Sequence, residues 1–401
     1  MEDLGSEALR LVIASHTLDF RAGGAERVLR SFLSLLDASG FRAVLAVPRQ
    51  AEALRGEFGD LGCPLVELPP MTQPAGRSVA EVLRLGFSLL RLNLACWLML
   101  RRERPDVVYV NSIFALHFAA LPARICGVPL VYHEHNLVSQ REASLWHRLF
   151  PRLVRSAARV IAISGAVGET LRRVGVPSER VEVVHNGIAH APQSPKAARD
   201  PASRPGFAIA QVANLHRWKG HETSLRALAL LADRVPDARL VFYGRTQEAD
   251  FGRELRDMAT ELGLSGRVEF AGFVSDVEER LPGFDCLVVA SYGEPFGLVV
   301  LEAMRAGIPV VGSRAGGVPE IIRHGENGLL FDVGDAEDLA KCFERIARDP
   351  ELARSLAQSG LRTVREEFSA ERQARSIEAV LERAASSARN TNLAPPGQTP
   401  G

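Results

Sequence analysis

Residues Leu11–Ala38 read LVIASHTLDFRAGGAERVLRSFLSLLDA. The stretch opens on four consecutive apolar residues, Leu11-Val12-Ile13-Ala14, the signal of a buried strand. From Gly24 to Ala38 the apolar residues Val28, Leu29, Phe32, Leu33, Leu35 and Leu36 recur at the spacing of one helix face. The strand signal then repeats at Ala43–Val47, Val107–Val110, Leu130–Tyr132, Val160–Ile163 and Val181–Val184. Strands that are apolar along their whole length need cover on both faces, and alternation with helices supplies it. The expected class is therefore α/β with parallel sheets.

The segment His190–Gly206 holds four prolines and little apolar content, as a linker does. The alternation restarts beyond it, with strands at Phe207–Val212, Leu240–Tyr243, Val268–Phe270, Cys286–Ala290, Pro309–Gly312 and Leu329–Phe331. Two similar α/β units follow, with ligands expected at the carboxyl ends of the strands. Residues 375–386 read as helix and the end of the chain, from 387, as a disordered tail.

Composition excludes several classes. Lysine plus arginine and aspartate plus glutamate balance at 48 each in 401 residues, which argues against a nucleic-acid partner. The five cysteines, Cys63, Cys96, Cys126, Cys286 and Cys342, are too far apart for a zinc knuckle or redox pair and fit a reducing cytoplasm. The N-terminus shows no basic-then-apolar leader pattern. The first strand is not followed by G-x-G-x-x-G, and neither a Walker phosphate loop nor a G-x-S-x-G elbow occurs. An Asp-x-Asp pair to hold a divalent ion against a diphosphate is also missing, so no metal is expected.

Four glycine-rich junctions between strand and helix carry the chemistry. Ala22-Gly23-Gly24-Ala25-Glu26 follows the first strand, where a helix N-terminus favours an anion. Asn214-Leu215-His216-Arg217-Trp218-Lys219-Gly220-His221 contains one of only three lysines in the chain, and a compact ammonium suits a diphosphate oxygen. Ala290–Glu302 places Glu294 in a loop and Glu302 in a helix that starts near Phe296, with the Phe296-Gly297-Leu298 amides at its N-terminus. Gly312–Glu320 forms the fourth.

Taken in order, Gly23-Gly24-Ala25-Glu26, Asn186-Gly187-Ile188, Lys219-Gly220, Glu294-x7-Glu302, Gly316-Gly317-Val318-Pro319-Glu320 and Asn327-Gly328-Leu329 resemble the glycosyltransferases of family 4. That resemblance implies two facing Rossmann-like domains with a cleft between them, the GT-B fold. It implies retaining transfer of a sugar from a nucleotide-sugar donor to a glycan or lipid-linked acceptor, without cofactor or metal. Residues 1–189 would form the acceptor-side domain, 190–206 the linker and 207–365 the donor-binding domain. A helix at 366–386 would pack back toward the first domain. By motif, Lys219 holds the diphosphate, Glu294 the sugar hydroxyls beside the Phe296, Gly297 and Leu298 backbone, and Glu302 the ribose. Gly23 and Gly24 approach the diphosphate, Gly272 and Phe273 lie near the base, and His135, with His133 as competitor, lies near the sugar. Asn214 stands where relatives carry an arginine, and Arg217 is the candidate replacement. The same fold also serves a sugar-nucleotide epimerase or hydrolase, or a non-catalytic nucleotide-sugar binder.

Val79–Leu100 is rich in leucine yet contains Glu81, Arg84, Arg91 and Asn93, which argues against a membrane span. Six arginines against two glutamates between Arg77 and Arg104 leave a net +4, so the helix is expected to be an amphipathic one that can touch a membrane surface peripherally, at the inner face.

Overall fold

The structure, a computed structural model, describes residues 8–17, 23–49, 62–71, 78–138, 145–189 and 206–393. The chain divides into two compact units. Residues 1–185 together with 371–401 form one, and Asn186–Ala370 the other. Most of the linker read at 190–206, and the tail beyond Leu393, lie outside the described residues.

The first unit is built on a seven-stranded parallel sheet. Its strands are β1 (Leu9–Ala14), β2 (Phe41–Pro48), β3 (Leu65–Leu68), β4 (Val107–Val110), β5 (Leu130–Glu134), β6 (Arg159–Ala162) and β7 (Val181–Val183). Their spatial order is β3-β2-β1-β4-β5-β6-β7. The order reverses at β1, where Ile13 lies between Leu45 and Tyr109. Strand β3 escapes the apolar-run reading because Glu67 interrupts LVEL; in the fold that carboxylate sits 3.4 Å from Arg49.

The second unit repeats the plan with β8 (Phe207–Val212), β9 (Ala238–Tyr243), β10 (Val268–Gly272), β11 (Cys286–Val289), β12 (Val310–Ser313) and β13 (Leu329–Phe331), in the order β10-β9-β8-β11-β12-β13. Here the reversal falls between β8 and β11. Both sheets are doubly wound and Rossmann-like. In each, the crevice where strand order reverses opens at the carboxyl ends of the strands.

Each unit has its own core. In the second, Ile209, Leu240, Phe242 and Phe331 pack under helices such as His221–Ala232 and Ala336–Arg348. In the first, Leu11, Ile13, Tyr109 and Val131 pack with Ile377, Val380 and Leu381 of the helix Ala370–Leu393. That helix corrects the sequence reading, which ends it at 386 and calls the rest tail. It continues to Leu393. The Ser387 hydroxyl donates to the Arg383 carbonyl at 2.8 Å, and Arg389 donates to Asp106 at 2.9 Å.

The Asn186-Gly187-Ile188 motif has a packing role. Ile188 N–H donates to the Phe368 carbonyl and Ala370 N–H to the Ile188 carbonyl, so the two segments run side by side. A Cβ on Gly187 would sit 2.1 Å from the Ser369 carbonyl oxygen.

Candidate active site

Strands β8 and β11 are hydrogen-bonded neighbours, so the loops that leave their carboxyl ends meet although they lie far apart in sequence. The first carries Lys219 and the second Glu294. Lys219 Nζ donates to Glu294 Oε2 at 2.8 Å, and both side chains are largely buried. The ammonium also lies 3.8 Å from the centre of the Trp218 ring. The Ser291 hydroxyl donates to the same carboxylate oxygen at 2.9 Å.

The loop that holds Glu294 is gripped from three sides. Tyr292 N–H donates to the Trp218 carbonyl and Gly317 N–H to the Glu294 carbonyl, both at 2.8 Å. The Ser313 hydroxyl donates to the Ser291 carbonyl at 2.6 Å. The glycines of the lysine and Gly316-Gly317 motifs are explained by this contact. A Cβ on Gly220 would meet the Ala290 carbonyl oxygen at 2.0 Å, and one on Gly316 the Glu294 carbonyl oxygen at 1.9 Å. Such bracing fixes a charged pair before any ligand arrives, which is what electrostatic catalysis requires.

The remaining predicted residues fall as follows. The helix after Glu294 begins at Leu298, two residues later than the sequence reading places it, with Gly297 as its cap in left-handed backbone. The Phe296 ring is buried against Phe368, leaving only its backbone for a ligand. Glu302 is buried within that helix. Gly272 ends β10, and the exposed Phe273 ring carries the Arg245 guanidinium at 4.3 Å. Asn214 Oδ1 accepts from the Arg245 N–H at 3.0 Å. Arg217 is drawn elsewhere. It donates to Glu254 at 2.7 and 2.8 Å, lies near Glu222 and Glu248, and stacks over Phe251 at 4.8 Å. The cluster of carboxylates around it holds its charge on the helix Ala249–Glu261 side of the loop.

In the first unit the same topology gathers a second group. Gly23 and Gly24 lie at the N-terminus of the helix Gly24–Leu35, which has no side-chain cap. Asn111 follows β4, the neighbour of β1, and its amide Nδ2 donates to the Ala25 carbonyl at 3.2 Å. Asn111 Oδ1 in turn lies 3.0 Å from His135 Nε2 and accepts from the Tyr109 hydroxyl at 3.3 Å. His133 Nδ1 and that hydroxyl are 2.6 Å apart, and the two histidine rings are 4.2 Å apart. His133 is completely inaccessible, whereas His135 retains a small exposed fraction. With Nε2 on Asn111, His135 Nδ1 is a buried nitrogen without a hydrogen-bond partner. Glu134 braces the histidine loop: its carboxylate accepts from the His135 and Asn136 amides and from the Tyr132 hydroxyl, each at 2.9 Å.

Tyr109, Asn111, Trp218 and Ser291 were not selected from sequence. The available signal was their place just at or beyond the carboxyl end of a strand, which only a known strand order turns into proximity.

Burial pushes His16 and His221 down to about 4 and His135 to about 3, while it pushes Glu134 up to about 7. The unfolded histidines protonate near pH 6.5 and the folded ones do not. Each therefore removes about 1.4 kcal/mol per pH unit as pH falls from 6.5 towards 4. Glu134 has the opposite sign: its folded carboxyl takes up a proton below about pH 7 and adds stability down to pH 4.5. Burial also holds His133 well below the ordinary histidine range, so four histidines outweigh one glutamate and stability should fall by several kcal/mol between pH 6.5 and 4.5. Denaturant melts at the two pH values check this; equal stability would contradict it.

Residues 197–363 match the family described as glycosyl transferases group 1, and residues 22–191 match Glycosyltransferase Family 4. The chain is 34% identical over 276 residues to the putative glycosyltransferase EpsD of Bacillus subtilis, covering 64% of this chain and 71% of that protein. It is 41% identical over 153 residues to the lipopolysaccharide core biosynthesis glycosyltransferase LpsE of Rhizobium meliloti. That match covers 38% of this chain and spans less than half of LpsE, 43%. Among solved structures, HepE of Anabaena in complex with UDP aligns with a TM-score of 0.77 at 25% identity, over 94% of this chain and 100% of HepE. HepE in complex with UDP-glucose aligns over the same shares with a TM-score of 0.76.

Proposed function

The chain belongs to glycosyltransferase family 4 and has its GT-B fold, and from that premise we propose that it transfers a sugar from a nucleotide-diphosphate sugar to a glycan or lipid-linked acceptor, with retention and without a metal. The observation that carries this reading is the braced Lys219–Glu294 pair at the strand-order reversal, beside Ser291 and the first amides of the helix Leu298–Arg305.

The bond from the anomeric carbon to the diphosphate oxygen breaks and its electron pair leaves with the diphosphate. The Lys219 ammonium and the helix amides are donors suited to that growing negative charge. Glu294 accepts from sugar hydroxyls, and Glu302 is proposed for the ribose. The acceptor hydroxyl attacks from the side the diphosphate leaves and gives it the proton, so the configuration is kept. His135 and the Gly23-Gly24 amides are the groups the first unit offers to substrate. Phe273 and Gly272 are proposed for the base, and the complexes of HepE support UDP as the nucleotide.

A lipid-linked acceptor would bring the enzyme to the inner face of the membrane.

The test is a thermal-shift screen with UDP, GDP and ADP and their sugars, followed by turnover after exhaustive EDTA treatment. A ligand at a hundred times its Kd should stabilise the protein by about 2.7 kcal/mol. The reading fails if no nucleotide sugar raises Tm, and the metal-free form of it fails if EDTA abolishes turnover that Mg²⁺ or Mn²⁺ restores.

A further inference from the structure

The helix Val79–Glu103 is apolar on two opposite sides. One stripe, Leu85, Ser88, Leu92, Cys96, Met99 and Leu100, is buried in the first unit. The other, Leu83, Phe87, Leu90, Leu94 and Leu98, faces solvent, each residue between 54% and 68% exposed. Among the described residues, packing covers the first stripe and leaves the second exposed. The neighbouring helix Ile113–Cys126 is tied alongside by Asn93, whose Nδ2 donates to the His117 carbonyl at 3.1 Å. It adds exposed Leu121 and Ile125, the latter sharing a surface depression with Trp97 and Arg101. A contiguous apolar face of this kind on a folded protein marks an interaction surface.

The charges say what covers it. Arg84, Arg91 and Arg102 are exposed and fall along one flank of the apolar stripe at helical spacing. Arg91 and Arg101 lie over the Phe87 and Trp97 rings, at 5.7 and 5.1 Å, so their stems run along apolar surface while their heads reach outward. Of the two carboxylates on the helix, Glu81 closes the capping box with Ser78, and Glu103 lies 3.7 Å from Arg102. The helix Ile113–Cys126 has no acidic residue.

We propose that this two-helix face docks in the plane of an anionic lipid bilayer, with Leu83, Phe87, Leu90, Leu94 and Leu98 entering the acyl boundary and the arginine row on the headgroup phosphates. The inference rests on the reading of a lipid-linked acceptor, to which it adds the surface that reaches the lipid. A second copy of the chain fits less well, because a symmetric contact would bring arginines together without carboxylates to pair them. The helix is long and apolar enough to cross a membrane by length and composition, against the sequence reading, yet it lies in plane. Spanning would strip Leu92 and Cys96, which are inaccessible or nearly so, from the core that holds them. At 25 residues it forms a footprint about 37 Å long.

Flotation of the full chain with vesicles of phosphatidylcholine, with and without phosphatidylglycerol, tests this. Binding to the anionic vesicles should exceed binding to neutral ones by the order of a hundredfold for three arginines. High salt should weaken it. Leu83→Glu with Leu90→Glu should abolish it while leaving the nucleotide-induced thermal shift unchanged, since both side chains are exposed and outside the donor loops. Arg84→Gln with Arg91→Gln should cut the anionic preference to a few-fold and leave the binding to neutral vesicles unchanged. The proposal is overturned if the wild-type chain ignores anionic vesicles or the Leu variant binds them equally well. It is equally overturned if only detergent extracts the chain, or if light scattering shows a dimer that Leu90→Glu dissolves with no lipid binding. Vesicle binding without any nucleotide shift would instead sink the enzymatic reading and leave this surface standing.

Discussion

Glu294→Ala should lower the rate of sugar transfer by roughly 10²–10³ with little change in fold, the usual cost of losing one preorganised group at a reacting centre. The carboxylate meets both the Lys219 ammonium and the Ser291 hydroxyl, so its removal frees both partners at once. Lys219→Ala should cost about as much, because the diphosphate then leaves without its cation. The two act as one unit at 2.8 Å, so the double variant should be little worse than either single one rather than the product of both losses. Lys219→Arg should not rescue, since a planar fork cannot occupy the position of a compact ammonium wedged between Trp218 and Glu294. The measurements are kcat and KM for each variant with the nucleotide sugar that stabilises the protein, and Tm alongside. Glu294→Ala with near-normal turnover would dismiss the site, and strictly multiplicative losses would show that the pair does not work together.

Gly316→Ala is expected to damage activity and stability together. Its backbone is left-handed, and a Cβ there would lie 1.9 Å from the carbonyl oxygen of Glu294. Backbone cannot yield as a flexible side chain would, so the loop carrying Glu294 must move. The Gly317 N–H to Glu294 carbonyl bond then breaks. Strained backbone of this kind costs about 1–3 kcal/mol, which for a unit of this size lowers Tm by roughly 2–10 °C. Gly325→Ala separates the two causes, because that residue is also left-handed but has open space around it. It should cost some stability and leave kcat alone. Wild-type kcat in Gly316→Ala would mean that the position of Glu294 is not held by this contact.

Both predictions turn on contacts that no single stretch of sequence displays. Lys219-Gly220 and Glu294-x7-Glu302 can be picked out as motifs, since lysine is rare in this chain and each lies where a strand gives way to a helix. Their pairing depends on β8 lying next to β11, a long-range neighbourhood that strand patterns leave undetermined. Arg217 shows the reverse. Two residues from Lys219 it reads as a phosphate ligand, yet carboxylates from outside its own short turn, Glu254 foremost, claim its charge. The histidines needed the fold as well: the sequence puts His135 first with His133 as competitor, and only the packing around Tyr109 and Asn111 shows a wholly inaccessible ring at His133 and one with a small exposed fraction at His135.

The α/β class is legible in the residues alone, because strands apolar from end to end can be buried only in a sheet covered on both faces. The two-unit plan and the glycine junctions are legible in the same way, since they are local patterns of a few residues. Which junctions meet, where the helix Ala370–Leu393 packs and which stripe of Val79–Glu103 stays in solvent are visible only in the folded chain. Periodicity can say that a helix has two apolar sides, but burial is a property of the neighbours, and those come from distant parts of the chain.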